Sequence, residues 1–309
     1  MNITKNIFDC SVFLLLDNVK GWKMRRLLIG FIAVAVSVQA ASLNEKIAYM
    51  DNVKELVFLT GQMRDDTHVF NRGGYISSEA IDKDRDEVTT SLRSLRHKFN
   101  TVDIKIDDEF SQLNLYMQSL NEVVPDLDAM TTFRAYTLLT REMINLGQRV
   151  QHKFFFNEST RNQRVSSVMI DNILPVMEHM AVLRGLGSGV AVCGDCSDSE
   201  GEELKAYVVK VLDAVDGLTL EMEALKWEYS ALYPDVLDAK LRTYQKKVRQ
   251  YIHLVESKLL DTDQVKLDQY DFYVDGSSLI DQTIEFYKIN EAVLKEESEV
   301  KNIHVGLLD

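Results

Sequence analysis

"MAVLRGLGSGVAV", residues 180–192, sits inside a long helical pattern, yet it follows an arginine with Gly185, Gly187 and Gly189. Each glycine inside a helix costs roughly 0.8–1 kcal/mol relative to alanine. Something must approach the chain here closely enough to offset that cost. Gly185 and Gly189 are four apart on one face, which lets another backbone or a small ligand come close.

Working back from Arg184, Met177 and Ile170 lie seven and fourteen residues earlier, and Ala191 lies seven later. Residues seven apart share a helix face, so Arg184 continues an apolar stripe. Arg64 does the same through Val57 and Met50, with Val53 and Thr60 interleaved. Both guanidiniums are therefore assigned to the interior, where an always-charged head needs an acceptor or burial costs several kcal/mol. The acceptor could be a carboxylate such as Asp66, Glu142 or Glu178, a set of backbone carbonyls, or a bound anion. Glycines bracketing a guanidinium suit a small planar anion. On that reading the candidate ligand-binding residues are Arg64, Arg184, Thr60, Thr67, Gly185 and Ser188.

The rest of the chain reads as all-α, with only three prolines in 309 residues and no convincing alternation of apolar and polar positions. Seven or eight helices are expected: about 44–70, ending in the "NRGG" turn; 78–99; 107–124, stopping at Pro125; 126–156; 160–192, kinked or broken by Pro175; one opened by "SDSEGEEL"; one from Pro234 to Leu260; and 277–300. Ser197 with Glu200, and Ser199 with Glu202, both fit a capping box. "DTDQVKLDQYDFYVDGS" reads as a loop. Trp227, Tyr229 and Tyr233 form an aromatic group assigned to core or interface. A weak repeat relates two hairpins, one with Arg64 ahead of a glycine turn and one with Arg184 ahead of "CGDC". Two such hairpins suggest an elongated bundle or two stacked four-helix bundles.

Met24-Arg25-Arg26, the apolar run Leu27–Val38 and "VQA" follow the pattern of a secretory signal peptide, with cleavage expected after Ala40. The run is shorter than the roughly 20 residues that span a bilayer. An uncleaved anchor is the alternative. Residues 1–23 are then explained by an initiator at Met24, and residues 41–309 form the exported, periplasmic domain. Losing five basic and two acidic residues takes the net charge from −13 to −16, which argues against nucleic acid and anionic lipid as partners.

Three segments, "ELVFLTGQMRDDTHVF", "FRAYTLLTREMINLGQRV" and "NILPVMEHMAVLRGLGSGVAV", occur in the order seen in helical sensor domains of bacterial receptors. Over about residues 45–225 the chain resembles the nitrate- and nitrite-sensing domain family. The resemblance implies stacked helical bundles with arginines from different helices holding the anion, and Arg64 and Arg184 would match those positions. Where the family commonly has Arg-Gly, this chain has Arg64-Asp65-Asp66, which puts two carboxylates beside the expected anion. The family's members continue into an output domain. None is recognisable here, so signalling is expected to pass through a separate membrane receptor or sensor kinase.

Cys193 and Cys196 in "CGDC" are expected to form a disulfide in an oxidising compartment. His68 and His179 are expected to be packing or surface residues, so no metal site and no cofactor is expected. No nucleophile–base pair, phosphate loop or paired catalytic carboxylates stands out, and the chain is not expected to be an enzyme. The leading expectation is a sensory module for a small anion, with a homodimer allowed. The alternatives are a scaffolding helical protein that binds other proteins, and a thiol enzyme using the "CGDC" pair.

Overall fold

The computed structural model describes residues 41–98, 107–194, 197–262 and 264–305. They fold as an all-α bundle: α1 (Leu43–Asn71), α2 (Ser78–Lys98), α3 (Asp107–Val123), α4 (Ala129–Phe155), α5 (Thr160–Ser167), α6 (Leu174–Cys193), α7 (Asp198–Glu228), α8 (Leu237–Val255) and α9 (Gln269–Val305). A π-helical stretch, Val168–Ile173, joins α5 to α6 without a break, and a second one, Glu256–Leu260, extends α8. Counted as rods, the described helices number eight.

Local chemistry sets the ends of these helices. Ser42 and Glu45 close a capping box on α1, and Ser197 with Glu200 closes one on α7. Ser199 lies inside α7 instead, where its hydroxyl accepts from Arg134 Nη2 at 2.7 Å. Asp128 caps α4, and Gly73 and Gly194 take the positive φ that ends α1 and α6. Pro175 has no N–H for the carbonyl four residues back, and its ring crowds that turn. The chain absorbs this by widening the preceding turns into a π-stretch, so of the expected kink or break at Pro175 the break is absent and the helix runs on through a π-bulge.

The rods turn at two ends. At one end Arg72 pairs with Glu200 and lies 3.6 Å from Cys193 Sγ, linking the α1–α2 and α6–α7 turns. At the other, Lys46 pairs with Glu158 and Arg164 with Glu228. The helices carrying Arg64 and Arg184 therefore run side by side in the same direction, and both arginines lie nearer the Arg72 end. α1 packs against α2, α4 and α6, while α6 packs against α7 and α9. Of the stripe residues, Met50, Val53, Val57, Ile170 and Met177 are all buried. No described helix is long and apolar enough to cross a membrane.

One expectation needs correcting. The segment from Gln269 is helical, so α9 begins eight residues before the expected start at Ser277. Of the aromatic group assigned to core or interface, Trp227 is 87% exposed and so lies outside the core, whereas Tyr233 is buried and donates to Asn290 Oδ1 at 2.8 Å. The charged and aromatic "DQYDFYVDGS" looked loop-like because its buried face alternates with an exposed acidic one. Phe272 and Tyr273 are on that buried face.

Candidate functional site: an arginine pair closed by one carboxylate

Arg64 is wholly buried and Arg184 is 4% exposed, so neither head can be left to solvent. Arg64 Nε donates to Asp65 Oδ1 at 2.9 Å, and its Nη1 pairs with Glu178 Oε1. Arg184 donates from Nε and Nη2 to Asp65 Oδ2 at 3.0 and 2.7 Å, and from Nη1 to Ser277 Oγ at 2.8 Å. One carboxylate thus takes two guanidiniums, one on each oxygen. Charge-assisted bonds of this kind are the strong ones. The Arg64 head lies 5.0 Å from the centre of the Phe133 ring, and that of Arg184 lies 4.3 Å from that of Tyr273.

Of the three acceptors open to the arginines, carboxylates of the chain are the ones in place: Asp65 and Glu178 pair them. Glu178 is one of the three carboxylates that the sequence offers as acceptors. Of the other two, Asp66 accepts from Tyr273 at 2.8 Å, and Glu142 accepts from Asn145. Heptad spacing does not point to Asp65, because a stripe is legible only where a helix also has an outward face. Near its end α1 has none, since every residue from Met63 to Val69 is buried. The residue beside an inward arginine is then inward as well.

The glycines of α6 are slots. A Cβ on Gly185 would fall onto Asp65 Oδ1, with Phe133 Cε2 at 2.9 Å. One on Gly189 would fall onto the His68 ring, and one on Gly187 onto the Phe272 ring. Gly185 and Gly189 therefore admit two side chains of α1 three residues apart, while Gly187 faces α9. The planar anion beside Gly185 is a carboxylate of the chain itself. From α9, Gly276 gives Arg184 similar clearance, a Cβ there lying 2.9 Å from Arg184 Cγ.

The other candidates are dispersed. Thr60 and Thr67 donate to the carbonyls of Leu56 and Met63 at 2.8 and 2.7 Å, four residues back on their own helix. Ser188 is wholly buried and its hydroxyl has no protein partner. Cys193 is exposed, and Cys196 lies outside the described residues. Among the described residues no group of three or more His, Cys, Asp or Glu is arranged to hold a metal.

The electrostatics follow burial. Desolvation pushes the Glu178 carboxyl up to about 7, against the attraction of Arg64. Desolvation pushes His68 and His179 down to about 4, with Arg72 and Lys210 respectively adding to it. His68 is held neutral against the Phe133 ring, 4.8 Å away between centres, with Nδ1 3.3 Å from the carbonyl of Ala129. A groove of about 840 Å³ between α1 and α2 is walled by Glu55, Glu79, Asp82, Asp86 and Glu87, and so disfavours anions.

Comparison of the chain with protein-family models, with curated proteins and with solved structures finds no match.

Proposed function

We propose that the chain is an exported helical sensory module for a small planar anion, in which Asp65 holds the anion position when no ligand is bound. One observation carries this reading: two guanidiniums from two different helices converge on a single buried carboxylate beside a glycine. A carboxylate presents the planar three-atom acceptor that nitrate, nitrite or formate would offer. Because Asp65 belongs to α1 and binds Arg184 of α6, an anion that replaced it would exchange a covalently tethered link between those helices for a free one, with Arg64–Glu178 as the remaining tie. That exchange gives binding a way to move one helix against the other, which a membrane receptor or kinase partner could read. The resemblance to nitrate- and nitrite-sensing domains supports the same ligand class.

Export fits the start of the fold. The α1 cap is formed by Ser42 and Glu45 alone, so the cap itself draws on no residue before Ser42. The test of the ligand reading is thermal unfolding of residues 41–309 in millimolar nitrate, nitrite or formate against chloride at equal ionic strength. A rise specific to the planar anions is expected, because a ligand that binds the folded state alone stabilises it. An identical response to all the salts would refute the reading.

A second reading, a protein-binding scaffold, draws on the opposite end of the bundle. There Trp227 is 87% exposed and Phe156 77% exposed. Exposed aromatics of that size favour contact with another protein.

A further inference from the structure

Next to the arginines, α1 and α2 meet through two acids. Asp66 on α1 and Asp84 on α2 are each 6% exposed, and they lie close enough that each acts directly on the other's charge. Asp66 Oδ1 already accepts from the Tyr273 hydroxyl at 2.8 Å. Asp84 Oδ1 takes only a long bond, 3.5 Å, from Gln62, and its Oδ2 has no donor at all. Two carboxylates this close cannot both ionise away from water, and a buried oxygen without a donor is costly. One proton between them removes both problems.

We propose that Asp66 and Asp84 form a proton-binding site, a carboxylic acid–carboxylate pair that holds α2 against α1 through one shared proton. The surroundings favour it. Asp65 on α1 and Glu87 on α2 are like charges, and Lys83, on α2 beside Asp84, opposes protonation of Asp84. Arg184 on α6 and the Tyr273 hydroxyl on α9 favour the ionised form of Asp66. Tyr75, near the α1–α2 turn, feels the Asp66 charge as well. The proton therefore belongs on Asp84, whose carboxyl burial and the Asp66 charge push up to about 7, and the charge on Asp66. As pH rises through neutrality the proton leaves, two like charges face each other, and the α1–α2 contact weakens. Tyr273 connects the pair to Arg184, since its hydroxyl binds Asp66 while its ring lies under the Arg184 guanidinium. The inference is independent of any anion binding.

Two measurements on residues 41–309 test it. With aspartate labelled at the side-chain carboxyl carbon, one resonance should still report a protonated carboxyl at pH 6. It should be missing from Asp84→Asn. Labelling aspartate alone keeps Glu178 out of the reading. Asp84→Asn supplies a permanent amide donor to Asp66, so its unfolding temperature should rise relative to wild type as pH goes from 5 to 8. If every aspartate is ionised by pH 5, or if the variant shows no relative gain at pH 8, the shared proton does not exist.

Discussion

Asp65 Oδ2 accepts from both Nε and Nη2 of Arg184, at 3.0 and 2.7 Å, across the seam between α1 and α6. The same carboxylate turns its other oxygen to Arg64 Nε. This single bridge decides how variants at the site should behave, because removing any member strands a charge the others were holding.

Arg184→Met should destabilise the protein by about 3–5 kcal/mol, the usual cost of breaking a buried ion pair from one side. Arg64→Met should cost less at pH 6 than at pH 8, because its stranded partner Glu178 can then take up a proton. Denaturant unfolding at the two pH values measures both. Two arginines that stood unpaired would give the opposite result, with variants as stable as the wild type or more so.

The glycine slots make a contrast within one protein. Gly185→Ala places a methyl on the Asp65 carboxylate, which two guanidiniums hold in place, and should destabilise by about 1–3 kcal/mol. Gly217→Ala, in the middle of α7 with open space around its Cβ position, should stabilise by about 0.4–1 kcal/mol through helix propensity and chain entropy. Equal effects at the two positions, read from chemical unfolding, would deny that Gly185 is a slot.

Two buried groups should move stability in opposite directions over nearly the same pH range. His68 is lowered to about 4 from 6.5, so the folded state binds fewer protons than the unfolded one in that window. Its contribution is lost as pH falls from 6.5 to 4, and amounts to about 3 kcal/mol at most. Glu178 is raised to about 7 from 4.5, so the folded state binds more protons there, and stability is lost as pH rises through that range. Glu178→Gln should therefore make stability rise more steeply with pH between about 4.5 and 7 than it does in the wild type. Unfolding free energies across pH 4–8 supply the check.

The sequence showed the fold class and the depth of both arginines. Heptad spacing needs only one buried face to be read, and Met50, Val57, Met177 and Ile170 supplied it. It also showed that something must approach Gly185 and Gly189. What approaches was hidden for two reasons. The end of α1 is surrounded by neighbours, so adjacent residues point inward together and no stripe separates Asp65 from Arg64. Tyr273 and Ser277 reach Arg184 from a helix more than eighty residues away in sequence, in a segment whose acidic outer face hid its helical period. A four-residue repeat of buried positions through Phe272 and Gly276 was the available signal. The pairing of Asp66 with Asp84 left no trace at all, since two aspartates on neighbouring helices look like ordinary surface charge.

The account stands most directly on Asp65→Ala. Removing that carboxylate leaves two buried guanidiniums facing one gap, so the variant should lose about 3–5 kcal/mol in chloride. Nitrate, nitrite or formate at millimolar concentration should then restore much of the loss, and should act more strongly on the variant than on the wild type, because the tethered competitor is gone. If the variant is too unstable to purify in chloride, the yield on refolding in nitrate against chloride gives the same comparison. An Asp65→Ala protein as stable as the wild type, or one that planar anions stabilise no better than chloride does, would contradict the claim that Asp65 holds an anion's place between Arg64 and Arg184.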